Sequence, residues 1–200
     1  MSQAATALMN AVFPAKCQTQ MQFKLSDTLI SEDLGFLNRG DYWAEEVARH
    51  DPDIVIISSG PHIYGNGNFT RLYQTVVSDI EFLRKTVSNK TFIWKTQQPG
   101  GCTPEISPDH PFAAARQMTD LHFNWAEFFD RDSATIRIMQ EHQIPFIDMR
   151  MLYSRSDAHN AESGDCLHFC SPGVLDIFPI LIHRLLRTNF SVPRCINSSS

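Results

Sequence analysis

The chain predicts an α/β fold in which a parallel sheet carries helices on both faces, a three-layer α/β/α arrangement. One sign is the continuous β-branched run Asp53-Ile-Val-Ile-Ile-Ser58, the pattern of a strand buried on both faces of a parallel sheet. Another is the recurrence of short apolar runs at Thr91–Lys95 and Pro145–Asp148, each preceded by a long amphipathic segment. Strands that alternate with helical patterns form βαβ units, and these impose parallel pairing.

Taken in order, Ala4 to Phe13 has small and apolar residues at helical spacing, and Pro14 ends that run because proline cannot continue a helix. Thr19 to Leu25 alternates Met21, Phe23 and Leu25 with polar neighbours, the period of a strand. Gly40 to Arg49 predicts a short helix that turns Trp43 and Val47 inward. After the strand at Asp53–Ser58 comes a turn-rich stretch from Gly60 to Asn68, and then a helix from about Thr70 to Val87. The segment from Pro99 to Pro111 reads as a loop. A helix is expected over Ala113–His142, bent or interrupted near its middle, with Phe123, Phe128, Ile136 and Met139 in the core. In open parallel sheets the ligand sits at the carboxyl ends of the strands. Those ends are Ser58–His62, Lys95–Gln98 and the segment after Asp148.

The chemistry centres on Asp165-Cys-Leu-His-Phe-Cys-Ser-Pro-Gly173. An acid three residues before a histidine, in a loop closed by Pro172-Gly173, can set a carboxylate against an imidazole and hold its tautomer. A last apolar helical pattern follows Gly173 and is interrupted by Pro179, so the loop is anchored on one side. Cys166, His168 and Cys170 are also metal-ligand types, but structural zinc sites usually use two Cys pairs and no second pair exists here. No metal or organic cofactor is called for.

The string Asp165-Cys166-x-His168-x-Cys170-x-Pro172-Gly173, with Arg155-Ser-Asp157-Ala-His159 upstream, resembles the C-terminal motif of the PC-esterase group. The plant trichome-birefringence-like polysaccharide O-acetyltransferases belong to that group, which is similar to SGNH/GDSL hydrolases. The resemblance implies an SGNH-like α/β/α sandwich and acyl transfer to or from carbohydrate through a Ser-His-Asp triad. His168 would be general base and then acid, with Asp165 orienting it. Arg155, Asp157 and His159 would bind substrate or tie down the loop. Ser59-Gly60-Pro61-His62 resembles the family block that shapes the oxyanion hole, which puts Gly60 at the oxyanion and His62 nearby. The partner implied is a carbohydrate or acylated glycan.

The family's nucleophile lies in a Gly-Asp-Ser at the end of the first strand, and this sequence contains no Gly-Asp-Ser. Met1-Ser-Gln-Ala4 looks like the residues that follow that motif, so the first strand and its serine are expected upstream of Met1. Ser2 is a poor substitute, because without a strand behind it the hydroxyl has no rigid elbow. A missing central strand would leave backbone groups of its neighbours unpaired. The competing reading is a carbohydrate-binding or adaptor domain that kept the fold and lost the nucleophile, with Trp43, Tyr64, Trp94 and Trp125 available to stack on sugars. Trp94 and Trp125 nevertheless sit at positions that read as core. A third reading, a metal-binding lumenal domain, predicts stoichiometric zinc and unfolding on chelation.

With 200 residues, 42% of them hydrophobic, the chain suits one domain, here expected over 1–195 with a flexible Ser-rich tail at 196–200. A net charge of -5 provides no basic footprint for nucleic acid. No apolar run is long enough to span a membrane, although an anchor could lie upstream. Five cysteines and sequons at Asn68, Asn89, Asn189 and Asn197 favour the oxidising lumen of the secretory pathway, Golgi or extracellular. Cys170 or Cys166 is expected to pair with Cys195 or Cys102, with the connectivity open.

Overall fold

The computed structural model describes residues 29, 42–59, 63, 66–87, 90–97, 125–154, 159–160, 165–169 and 173–189. Helix α1 (Trp43–His50) leads into strand β1 (Ile54–Ile57), helix α2 (Asn66–Thr86) and strand β2 (Thr91–Lys95). Helix α3 (Trp125–Glu141), strand β3 (Phe146–Ile147), the short strands β4 (His159–Asn160) and β5 (Asp165–Phe169), and helix α4 (Ile177–Asn189) follow. Strands β1, β2 and β3 pair in that order, all parallel, with Ile54 opposite Thr91 and Trp94 opposite Phe146. The fold is α/β with a parallel sheet, as the alternation of patterns required. The expected elements at Ala4–Phe13 and Thr19–Leu25 lie outside the described residues.

Period-two alternation on β2 divides the core between the two faces of the sheet. Phe92 and Trp94 join Ile57, Trp43, Val47 and the apolar stripe of α2, while Ile93 joins Ile147, Met149, Ile182 and Leu186 on the opposite side. Helices α1, α2 and α3 therefore cover one face, and α4 covers the other. The stripe on α2 runs Phe69, Leu72, Tyr73, Val76, Val77, Ile80 and Leu83, the spacing of one helical face. The helix begins four residues before the expected Thr70. Phe69, one turn ahead of Tyr73, extends the buried stripe and meets the Tyr73 ring edge-on at 4.2 Å.

Two expectations need correction. Strand β1 is not buried on both faces: Ile54 is 41% and Ile56 is 39% exposed, whereas Ile57 on the other face is buried. Among the described residues β1 pairs only with β2, and the apolar residues of α4 gather over Ile93 and Ile147. A β-branched run thus reports strand propensity, and coverage is decided by which helix lies above it. Ile57→Thr should cost about 1–3 kcal/mol by burying a hydroxyl. Ile56→Thr should stay within about 0.5 kcal/mol. Equal effects in urea unfolding would contradict this assignment of faces.

The second correction concerns Asp165–Gly173, which is not wholly a loop. Its first five residues are β5, antiparallel to β4, with His159 opposite Phe169, Asn160 opposite Asp165, and a register irregularity between them. His159, the end of the upstream motif run, and Asn160 form β4, and β4 and β5 satisfy each other's backbone groups. Helix α3 ends at Glu141, one residue from the expected His142, because Gln143 adopts a left-handed conformation (φ 53°) and Ile144 N–H returns to Met139 O at 2.8 Å.

Candidate active site

The parallel strands end together, and their carboxyl edge is polar. Ser58 and Ser59 follow β1, Lys95 closes β2 and is followed by Thr96 and Gln97, and Asp148 and Arg150 follow β3. Register places Ile57 opposite Trp94, so Ser58 comes next to Lys95. Lys95 Nζ donates to Ser58 Oγ at 3.4 Å and to Thr96 O at 3.0 Å, and it lies 5.8 Å from the centre of the Phe178 ring on α4. Ser58 is exposed. Thr96, fully buried, donates its N–H to Ile147 O at 3.1 Å and receives Met149 N–H at Oγ1 at 2.7 Å, which ties β2 to the segment after β3.

Behind this edge lies a buried carboxylate on α3. Asp132 is fully inaccessible and accepts from Gln97 N at 3.1 Å, Gln97 Nε2 at 3.3 Å and Tyr153 Oη at 3.0 Å. Burial pushes its carboxyl up to about 7, against the hydrogen bonds from Gln97 and Tyr153 and the charge of Lys95. Lys95 moves the other way: burial lowers its amine to about 8, although Asp132 favours the charged form. Burial, with the Asp132 charge, raises the Tyr153 phenol further, so Tyr153 acts as a neutral donor. Gln97 Oε1 and Ser59 Oγ are buried at the same edge with no hydrogen-bond partner among the described residues.

Two arginines frame the cluster. Arg131, next to Asp132, donates to Ile63 O at 2.9 Å, pairs with Glu127 and stacks over Phe69 at 4.6 Å. It thereby ties the segment after β1 to α3. Arg150 grips Asp148 through Nε (2.9 Å to Oδ1) and Nη2 (2.7 Å to Oδ2), and reaches Ser133 Oγ at 2.9 Å. Burial works to raise the Asp148 carboxyl, but the Arg150 hydrogen bonds and charge outweigh it and hold the group below the usual range.

Asp165, His168 and Cys166 are placed by their backbone in β5, and His159 by its backbone in β4, so the two motif runs meet in one ribbon. Gly60, His62, Arg155, Asp157, Cys102, Cys170, Cys195, Asn89 and Asn197 lie outside the described residues, as do Tyr64 and Phe123. Asn68 is half-buried in the first turn of α2, and Asn189 is the last residue of α4. Trp43 and Trp94 are core residues and offer no face for stacking on a sugar. Trp94 is packed edge-on against Tyr73 at 5.2 Å, and Trp43 meets Phe92 at 6.2 Å while donating to Asp79 at 3.2 Å.

Sequence reasoning located Lys95–Gln97 at a strand end but did not single out Lys95, and it missed Asp132. A signal was present: Phe128, Asp132, Ile136 and Met139 fall at helical spacing, so Asp132 occupies a position on the apolar stripe. A carboxylate in such a row needs buried donors, and Gln97 and Tyr153 supply them.

No helix of the described residues is long and apolar enough to cross a membrane. No protein-family profile matches the chain, and neither does any curated protein. Among solved structures, the chain is similar to a Bacteroides fragilis NCTC 9343 protein provisionally assigned as an acylhydrolase, at 18% identity and a TM-score of 0.47. The match covers 72% of this chain and 66% of that one.

Proposed function

We propose that the chain is part of an SGNH-like acyl-ester hydrolase or O-acyltransferase of PC-esterase type that acts on acylated carbohydrate. The observation that carries this reading is the Asp165-Cys-Leu-His168 motif, whose strand β5 pairs with β4 at His159, the last residue of the Arg155–His159 run, and which is preceded by a parallel sheet whose carboxyl edge gathers polar side chains. In this chemistry His168 removes a proton from the attacking hydroxyl and returns it to the leaving group, and Asp165 orients the ring and stabilises its charged form. Gly60 and His62 belong near the oxyanion and Arg155, Asp157 and His159 near the glycan. The cysteines and sequons fit a secretory-pathway lumen.

Acetate release from an acetylated oligosaccharide tests this directly. His168→Ala should lower the rate by about 100-fold or more, the usual weight of a general base. Asp165→Asn should lower it as well, without changing thermal unfolding. Release that survives both substitutions would overturn the proposed roles. The absence of Gly-Asp-Ser from this sequence favours a second reading, a glycan-binding domain without catalysis. It predicts oligosaccharide binding without release.

A further inference from the structure

We propose that Ser59 and Gln97 form a binding subsite for the hydroxyl groups of a neutral sugar. The proposal rests on the carbohydrate reading above, leaves the acyl chemistry with His168 and Asp165, and names side chains of this chain that hold the glycan.

The placement comes from the sheet. Ile57 stands opposite Trp94, and carrying that register two residues further brings Ser59 level with Thr96, the residue before Gln97. Alternation continues past the end of β1, where Ile57 is buried, Ser58 exposed and Ser59 buried, so Ser59 turns to the same side of the sheet as Ile57. That is the side covered by α2 and α3. Gln97 is drawn to it as well, because Asp132 of α3 accepts both its backbone N–H and its Nε2. The two residues thus stand on one side of the carboxyl edge, where open parallel sheets take ligands.

Ser59 is 7% and Gln97 3% exposed, yet Ser59 Oγ and Gln97 Oε1 have no hydrogen-bond partner among the described residues. Buried polar atoms in folded proteins are nearly always paired, because each gave up water on going inside. Gln97 is braced against rearrangement. Asp132 Oδ1 holds its backbone and its amide nitrogen at 3.1 and 3.3 Å, and Tyr153 occupies the other carboxylate oxygen at 3.0 Å. The amide oxygen is thereby turned away from the carboxyl group. An amide oxygen only accepts, whereas a serine hydroxyl both accepts and donates. The ligand that satisfies both therefore carries O–H groups. Neighbouring hydroxyls of a sugar ring do so: one donates to Gln97 Oε1, and the next exchanges a hydrogen bond with Ser59 Oγ. Neither side chain is charged, so the pair fits a neutral sugar and offers no cation to a uronate or a phosphate.

Calorimetric titration of the whole 200-residue chain with O-acetylated gluco-, xylo- and manno-oligosaccharides is the test. Ser59→Ala should weaken binding by about tenfold. It should leave the thermal midpoint of the free chain unchanged or higher, since the hydroxyl it removes has no partner to lose. Gln97→Met, of similar length and without the amide, should weaken binding by at least as much. Methylating the free hydroxyls of the sugar should weaken wild-type binding and bring wild type and both variants to the same affinity, which separates a lost sugar contact from an altered fold. Either variant binding the unmethylated sugar as tightly as wild type would overturn the subsite and leave the carbohydrate reading standing. A Ser59→Ala midpoint that falls with binding unchanged would do the same, because the hydroxyl would then have its partner within the chain. If no acetylated sugar binds wild type and none loses acetate, both readings fall.

Discussion

Asp132 will contribute a fall in wild-type stability as pH rises from about 4 to about 7, and Asp132→Asn will remove that contribution. In the unfolded chain an aspartate ionises near its ordinary value of 3.8, whereas in the folded protein Asp132 keeps its proton up to about 7. Between those values unfolding releases a proton, so each step up in pH favours the unfolded state. Above the folded value the contribution is complete, at roughly 4 kcal/mol by about 1.4 kcal/mol for each tenfold change in proton activity. Asparagine is close in shape and does not titrate. It still offers an oxygen to Gln97 or Tyr153, so it separates ionisation from packing. Asp132→Ala does not, because it leaves the buried Tyr153 hydroxyl and Gln97 amides without their acceptor, at about 1–3 kcal/mol for each orphaned group. Urea unfolding of both proteins from pH 4 to 8 provides the check. The decisive quantity is the difference between wild type and Asp132→Asn, since other carboxylates cancel in it. A difference that does not change across that range would show that Asp132 ionises at its ordinary value.

Trp94→Ala should be the most damaging single substitution in the sheet. Trp94 lies in β2, the middle strand of the three described, pairs with both Ile57 and Phe146, and is 1% exposed. Its ring packs edge-on against Tyr73 of α2, so its removal opens a cavity between the sheet and that helix. Deleting a buried aromatic of this kind costs about 3–5 kcal/mol. Domains of ordinary stability hold only about 5–15 kcal/mol in total. The midpoint of thermal unfolding should therefore drop by about 6–20 °C, at roughly 2–4 °C per kcal/mol for a chain of this size. Phe82→Ala is the matched control: Phe82 lies on the solvent side of α2, 63% exposed, and its loss should stay within about 0.5 kcal/mol. If the two substitutions lowered the midpoint equally, α2 could not be packed on β2 through Trp94.

The alternation of β-branched runs with long amphipathic stretches was sufficient to place β1, α2, β2, α3 and β3 and to make the sheet parallel, because backbone geometry ties each period to one kind of element. Phe128, Ile136 and Met139 were legible as core for the same reason. The Asp165–His168 spacing could be read from the sequence because it involves residue types a short distance apart, and the chemistry proposed for it rests on that spacing. Local sequence does not contain the distance between elements far apart in the chain. Only tertiary structure decided that Ile54 and Ile56 stay exposed while Ile57 is buried, since that depends on where α4 lies. Pairing β4 with β5 likewise turned two separate motif runs into one ribbon. The Asp132 cluster and the Ser58–Lys95 contact join residues 35 and 37 positions apart, and no local pattern records such a meeting. The unusual proton affinities of Asp132 and Lys95 follow from that meeting. They arise from burial, which outweighs the opposing pull of each other's charge, and the fold alone supplies that burial.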